Sequence, residues 1–457
     1  MTDLDAANQF VDLACLCYDD PHYDYRTFHQ RASKLLRENP ALAEAHLWAA
    51  AAGGHVDAVR SFVDRDPGLV NQPGVHGWVP LICACYSRVE PLKPAHSTLG
   101  VARLLLEFGA DPNAHTMKGN ADKRLDQEPR RFTALTGVFG GGSTGFANQP
   151  PHPQWREFAE LLLRHGADPS DEQALAINQD ASLPLLLQHG LNPEDLGSDR
   201  KTLMGRALFL AARRGNAEQV SLLLNYRART DEQFGGKLVW EQAMGFGHFD
   251  IAPLLEQAGA PRAELNAVDR FVSFCMAGDE TAARAMLTSD PDLFSRAPKD
   301  LVHRAVSTKR KQAVKLVLDL GFDPNWQEDN AAIHEAGVLA ENDDVLRALL
   351  AGGASLKLRD PWYDGTGIGW AEFFAHDKLR DKLLSEPDIC LLDALDFGRY
   401  DRVPDILARD PGALNRPFAR CISRDPTEND SQTPLARMMA RGNEDAVGVL
   451  REHGARD

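Results

Sequence analysis

The chain has 457 residues, with 50 Lys and Arg against 66 Asp and Glu, for a formal net charge of −16. That balance argues against non-specific binding to nucleic acid or to an anionic membrane, since both would repel it. At 43% hydrophobic and 25% charged, the composition is that of a folded protein, and the seven cysteines are too sparse and odd in number for a disulfide framework.

The first ten residues, MTDLDAANQF, carry no basic n-region and no apolar h-region, so no secretory signal is read there. No window approaches the roughly 18 apolar residues that span a membrane. The expected compartment is the cytoplasm. Residues 1–43 read as a helical cap or a degenerate first repeat. From about residue 44 to 457 a two-helix unit recurs. It first shows in AAAAGGHVDAVRSFVDRDPGLVN, a small-residue helix, a turn at Gly54 and an amphipathic helix. The same inner turn recurs at Gly215, Gly247, Gly278, Gly398 and Gly442; the second and third of these follow at spacings of 32 and 31. First helices open with VPLICA (79–84), TALTGV (133–138), TLMGRA (202–207) and TPLARM (433–438). Thr202 and Thr433 suit helix caps, and Pro80 and Pro434 sit where the helix N–H has no partner to lose. Second helices end at Gly109, Gly166, Gly190, Gly321 and Gly353, with Asp-Pro or Asn-Pro starting the exit turn in most.

A unit of about 33 residues with Thr-Pro-Leu-like openings, a Gly-His or Gly-Asn inner turn and a Gly-Ala-Asp-Pro-Asn exit resembles the ankyrin repeat. The resemblance covers about eleven or twelve units. It implies an all-α solenoid of stacked helix-turn-helix units with short hairpin turns, each unit touching its neighbours and the first helices lining a concave face. Two stretches depart from the pattern: 171–192 is short, and 233–263 lacks the Thr-Pro-Leu opening.

Three insertions fall in two adjacent units, at about 86–100, 114–131 and 140–153. The last contains GGGSTG, which suggests a phosphate loop. Gly140 and Gly145 have the right spacing, but Phe146 stands where lysine is required and a helix precedes it. Equivalent insertions in stacked repeats lie side by side. Tyr86, His96, Phe139, Phe146, His152 and Trp155 are therefore candidate partner contacts, as are Trp362 and Tyr363 in a second exit turn.

No residue pattern supports catalysis, a cofactor or a metal. His55, His248, His303 and His334 occupy positions where the repeat family uses histidine structurally. His165, His189 and His453 suit the carboxyl ends of helices. Cys15 with Cys17 and Cys83 with Cys85 read as buried small side chains. Asp343 and Asp344 read as helix-start acids, and the basic run TKRKQ (308–312) as a solvated corner. The expected function is a non-catalytic scaffold binding a protein through the concave face and edge insertions, with no nucleic acid or membrane partner. The alternative is a small-molecule sensor or enzyme with a pocket built by the 86–155 insertions; a self-assembling structural protein is a third reading.

Overall fold

The computed structural model describes residues 3–16, 25–118, 130–140, 149–177, 179–327, 331–338, 343–360, 365–374, 376–419 and 431–456. The chain divides into two compact units: Met1–Leu208 with Leu222–Arg229, and Phe209–Ser221 with Thr230–Asp457.

In the first unit, Asp3–Cys15 and Tyr25–Glu38 pack on each other, and Asp3–Cys15 also packs on Leu47–Ala52. Four helix pairs follow: Leu47–Ala52 with Val56–Arg65, Pro80–Tyr86 with Thr98–Glu107, Ala134–Phe139 with Trp155–Arg164, and Glu172–Ile177 with Gln179–Gln188. The first three of these pairs open with helices of only six or seven residues. Isolated helices below about 12 residues are marginal in water, so stacking rather than propensity holds these. Ala49 to Ala52 and Leu81 to Cys85 are accordingly buried almost completely. Small side chains let successive first helices approach closely.

The caps follow the sequence. Pro80 and Pro434 occupy the first helical turn. Thr202 Oγ1 accepts from Gly205 N at 3.1 Å and Thr433 Oγ1 from Ala436 N at 3.2 Å. Thr133 caps Ala134–Phe139 in the same way. Second helices end on left-handed glycines; Gly109 has φ +86, a conformation that Cβ penalises in other residues.

The second unit repeats the theme. Its helix pairs are Val239–Gly245 with Ala252–Gln257, Ala267–Ala277 with Glu280–Ser289, Leu301–Ser307 with Lys311–Asp319, Ala332–Val338 with Asp343–Ala351, Gly367–Phe373 with Asp377–Ser385, Leu391–Asp396 with Val403–Arg409, and Pro434–Ala440 with Glu444–Glu452. One buried apolar cluster runs from Phe271 to Leu450. The strands form short antiparallel hairpins in exit turns: His115–Lys118 with Arg130–Thr133, Gln233–Phe234 with Lys237–Leu238, and Phe418–Ala419 with Ser431–Gln432.

The basic run 308–312 is not simply a solvated corner. Lys311 is exposed, but Arg310 reaches inward and donates to the carbonyls of Phe246, Gly247 and Met276 at 3.0–3.1 Å. A guanidinium offers five donors in a planar fork, which lets one side chain serve several inner turns.

Candidate functional site

The 86–100 insertion meets residues 149–152 of the 140–153 insertion. Arg88 joins them. Its guanidinium donates to Pro150 O at 3.0 Å and Gly137 O at 2.8 Å, and within its own turn to Cys85 O at 3.0 Å and Ser87 O at 3.1 Å. Gln149 Nε2 donates to Tyr86 O at 2.9 Å. His152 Nδ1 accepts from Gln154 N at 3.1 Å, so Nε2 carries the proton and donates to Thr98 Oγ1 at 2.9 Å. Burial, reinforced by the nearby Arg88 charge, pushes the His152 pKa down to about 3 and keeps the ring neutral.

This arrangement corrects the expected contact surface. Tyr86 is the last residue of Pro80–Tyr86, is fully buried, and meets Trp78 edge-on at 4.9 Å. A Cβ on Gly137 would come within 2.3 Å of the Tyr86 ring, so the glycine lets two first helices close around it. Phe139 is fully buried, and its ring centroid lies 5.8 Å from that of Trp155. His96 is buried against His55, with ring centroids 4.3 Å apart, and His152 is buried against Phe158. These rings form a satellite core under the insertions, because large apolar side chains at a long loop's base gain more from burial than from exposure. Trp155 alone among them is half-buried, with the Arg156 guanidinium 4.9 Å from its ring. Phe146, Trp362 and Tyr363 lie outside the described residues.

His55 and His334 make the structural contacts expected of them. His55 Nδ1 accepts from Ala58 N at 3.2 Å and caps Val56–Arg65. His334 accepts from Ala331 N at Nδ1 and donates from Nε2 to Leu358 O, each at 3.0 Å, tying neighbouring turns. His303 lies 3.7 Å from Glu335. His165 and His453 each bond the carbonyl four residues back, at 2.8 and 2.9 Å. Cys15, Cys83 and Cys85 are buried, and the Cys15 thiol donates to Cys83 O at 3.3 Å. Asp343 and Asp344 begin Asp343–Ala351.

A second region stands out on the exit turns of the first unit. Asparagines staple successive turns. Asn71 Nδ2 donates to Gly109 O and its Oδ1 accepts from Asp111 N; Asn113 repeats both bonds with Gly166 and Asp168, all at 2.8–2.9 Å. Asn325 does the same with Gly353 and Ser355 in the second unit. Between Thr133 and the next repeat, Asp171 receives the Thr133 hydroxyl, the Thr136 hydroxyl at 2.9–3.0 Å, and the N–H groups of Gln173 and Ala174 at 3.0 Å. Burial pushes the Asp171 carboxyl upward, against the pull of these donors. Thr366 and Asp393 form the corresponding tie in the second unit, at 2.8 Å.

These stapled turns floor a cavity of about 590 Å³ that runs from the 115–118 strand past 168–173 to 196–199. Met117 and Leu196 belong to its lining and are 55% and 60% exposed. Among the described residues, Arg88 and Gln149 bind the 86–100 segment to residues 149–150, and the cavity lies on the exit turns. Among the described residues of the insertions, Met117 and Arg131 of 114–131 contribute to it. The sequence flagged that insertion, but nothing local singled out Leu196. Among the described residues, no group of three or more His, Cys, Asp or Glu is arranged to hold a metal, and no helix is long and apolar enough to cross a membrane.

Helix pairs stacked through capped, stapled turns define an α-helical repeat protein. The sequence profile of the ankyrin repeat family matches residues 76–117, which hold Pro80–Tyr86, Thr98–Glu107 and the Gly109 exit. Residues 76–117 thus carry an ankyrin repeat. Among solved structures, the crystal structure of the human ASB11 ankyrin repeat domain is similar at 20% identity, over 46% of this chain and 96% of that one, with a TM-score of 0.22. No curated protein matches the chain. Ankyrin repeats are generally protein–protein interaction modules and typically non-enzymatic.

Proposed function

We propose that the chain is a non-catalytic scaffold that binds a protein partner along the exit turns of its first unit. The supporting observation is the pair of exposed apolar side chains, Met117 and Leu196, on a cavity formed by successive exit turns. Exposed apolar surface around a concavity is the usual mark of a contact site. The staples at Asn71 and Asn113 fix the turns beforehand, so little ordering entropy is lost on binding. The 86–100 and 140–153 insertions act as a brace; half-buried Trp155, with Phe146, Trp362 and Tyr363, are proposed secondary contacts. The partner is neither nucleic acid nor membrane, in keeping with the net charge of −16, and the proposed compartment is the cytoplasm.

Capture from source-cell lysate tests the reading, using the intact chain, a Met117→Asp, Leu196→Asp double variant, and a chain with residues 140–151 cut to a two-residue turn. All three are first matched for helicity. The double variant loses the partner and the shortened chain keeps it. The reverse pattern places binding on the edge insertions and overturns the assignment to the exit turns.

A further inference from the structure

We infer that the segment bound on the exit turns is an extended peptide with lysine or arginine set between apolar residues. This rests on the interaction reading above and adds the partner's chemistry. Four carboxyl groups line the cavity, Asp168, Asp171, Glu172 and Asp199, against one guanidinium, that of Arg131. Their surroundings differ. Asp199 and Glu172 share the Arg206 guanidinium, at 2.6 and 3.6 Å. Asp171 is held by hydroxyl and backbone donors alone. Asp168 is exposed, and among the described residues its carboxylate accepts from the N–H of Ser170, at 2.9 Å. Arg131 donates to the Asn113 carbonyl at 3.2 Å.

With Arg206 counted beside Arg131, the described residues around the cavity still set four carboxyl groups against two guanidinium groups, together with two apolar side chains. An acidic segment meets like charge there, which disfavours it strongly. A wholly apolar segment would strip water from Asp168 without giving it a cation. A cationic side chain flanked by apolar ones satisfies both features. An extended backbone supplies that arrangement, because residues two apart point to the same side. A volume of about 590 Å³ holds a few side chains rather than a folded domain.

The test uses the full chain and two pools of fluorescent ten-residue peptides. Alternating pairs of positions are Leu, Met or Phe in both pools; the remaining positions are Lys or Arg in one and Asp or Glu in the other. The basic pool should bind at least about tenfold more tightly, and its affinity should fall as salt is raised. Asp168→Lys should remove most of that preference. Asp64→Lys, an equal charge change at an exposed position on Val56–Arg65, should leave it nearly intact, which separates the cavity from the general acidity of the chain. Equal binding of the two pools, or equal effects of the two variants, overturns the inference. So does binding of neither pool; if the Met117→Asp, Leu196→Asp variant still loses the captured partner, the interaction reading survives that failure, and if it keeps the partner both fall.

Discussion

Arg310 donates from Nη2 to His248 Nδ1 at 2.7 Å. Arginine has no acceptor, so His248 Nδ1 is unprotonated and its Nε2–H donates to Arg213 O at 3.0 Å. One guanidinium and one imidazole therefore link inner turns from several repeats of the second unit. Removing Arg310 leaves several backbone carbonyls without their donor. Arg310→Ala is expected to destabilise the second unit by roughly 2–4 kcal/mol, given about 1–3 kcal/mol for each buried group left unsatisfied. Arg310→Lys should recover only part of this, since an ammonium cannot fan out to four acceptors. Urea unfolding followed by helicity gives both values; an unchanged midpoint for Arg310→Ala would contradict the link.

The same pair sets an acid limit. Burial, and then the charge of Arg310, lower the His248 pKa to about 4 from an ordinary 6.5. A lowered folded-state pKa means that the unfolded chain binds more protons between those values. The stabilisation is complete above pH 6.5 and is lost as pH falls towards 4, by a loss on the order of 3 kcal/mol. His152, at about 3, adds to acid sensitivity in the first unit. Urea midpoints at pH 7, 5.5 and 4 should fall in that order, and His248→Asn should flatten the trend; an equally steep fall in the variant would assign it elsewhere.

Two glycines separate backbone strain from crowding. Gly109 has φ +86 and open space where a Cβ would go. Gly109→Ala should cost about 1–2 kcal/mol, the ordinary penalty of a left-handed residue. Gly247 has φ +67, and a Cβ there would lie 2.3 Å from Ala277 N. Gly247→Ala adds a backbone clash to the same strain, so its loss should exceed that of Gly109→Ala by at least about 1 kcal/mol. Matched denaturation curves compare them, and equal losses would argue against the close approach.

Arg88 is expected to act locally. Arg88→Ala should leave helicity nearly unchanged and speed amide exchange at 149–153, where Gln149 N and His152 N bond Gly140 O and Val138 O at 2.9 Å. Exchange that is unchanged there would show that the insertion holds without its arginine.

The repeat was legible because its determinants are local. Capping threonines, first-turn prolines and helix-ending glycines each act within a few residues, and all recur in register. The adjacency of the insertions was legible too, since stacking converts equal positions into neighbours. What the sequence did not reveal is which way side chains point. Tyr86, Phe139 and His152 suited a contact surface by type, yet each is buried, Tyr86 against Gly137 and His152 against Thr98 of neighbouring repeats and Phe139 against Trp155 of its own. Arg310 sat in a basic run that suited solvent, and its acceptors are 34 to 64 residues away. Leu196 had no local signal, because what sets it apart is sharing a cavity lining with Met117, which lies 79 residues earlier in the chain.

Hydrogen exchange of the full chain with and without the captured partner shows whether a partner occupies the exit turns of the first unit. Protection is expected at 113–117, 168–173 and 196–199, with little change at 87–97 and 149–155. Protection confined to 87–97 and 149–155, with the exit turns exchanging as before, would contradict that occupancy.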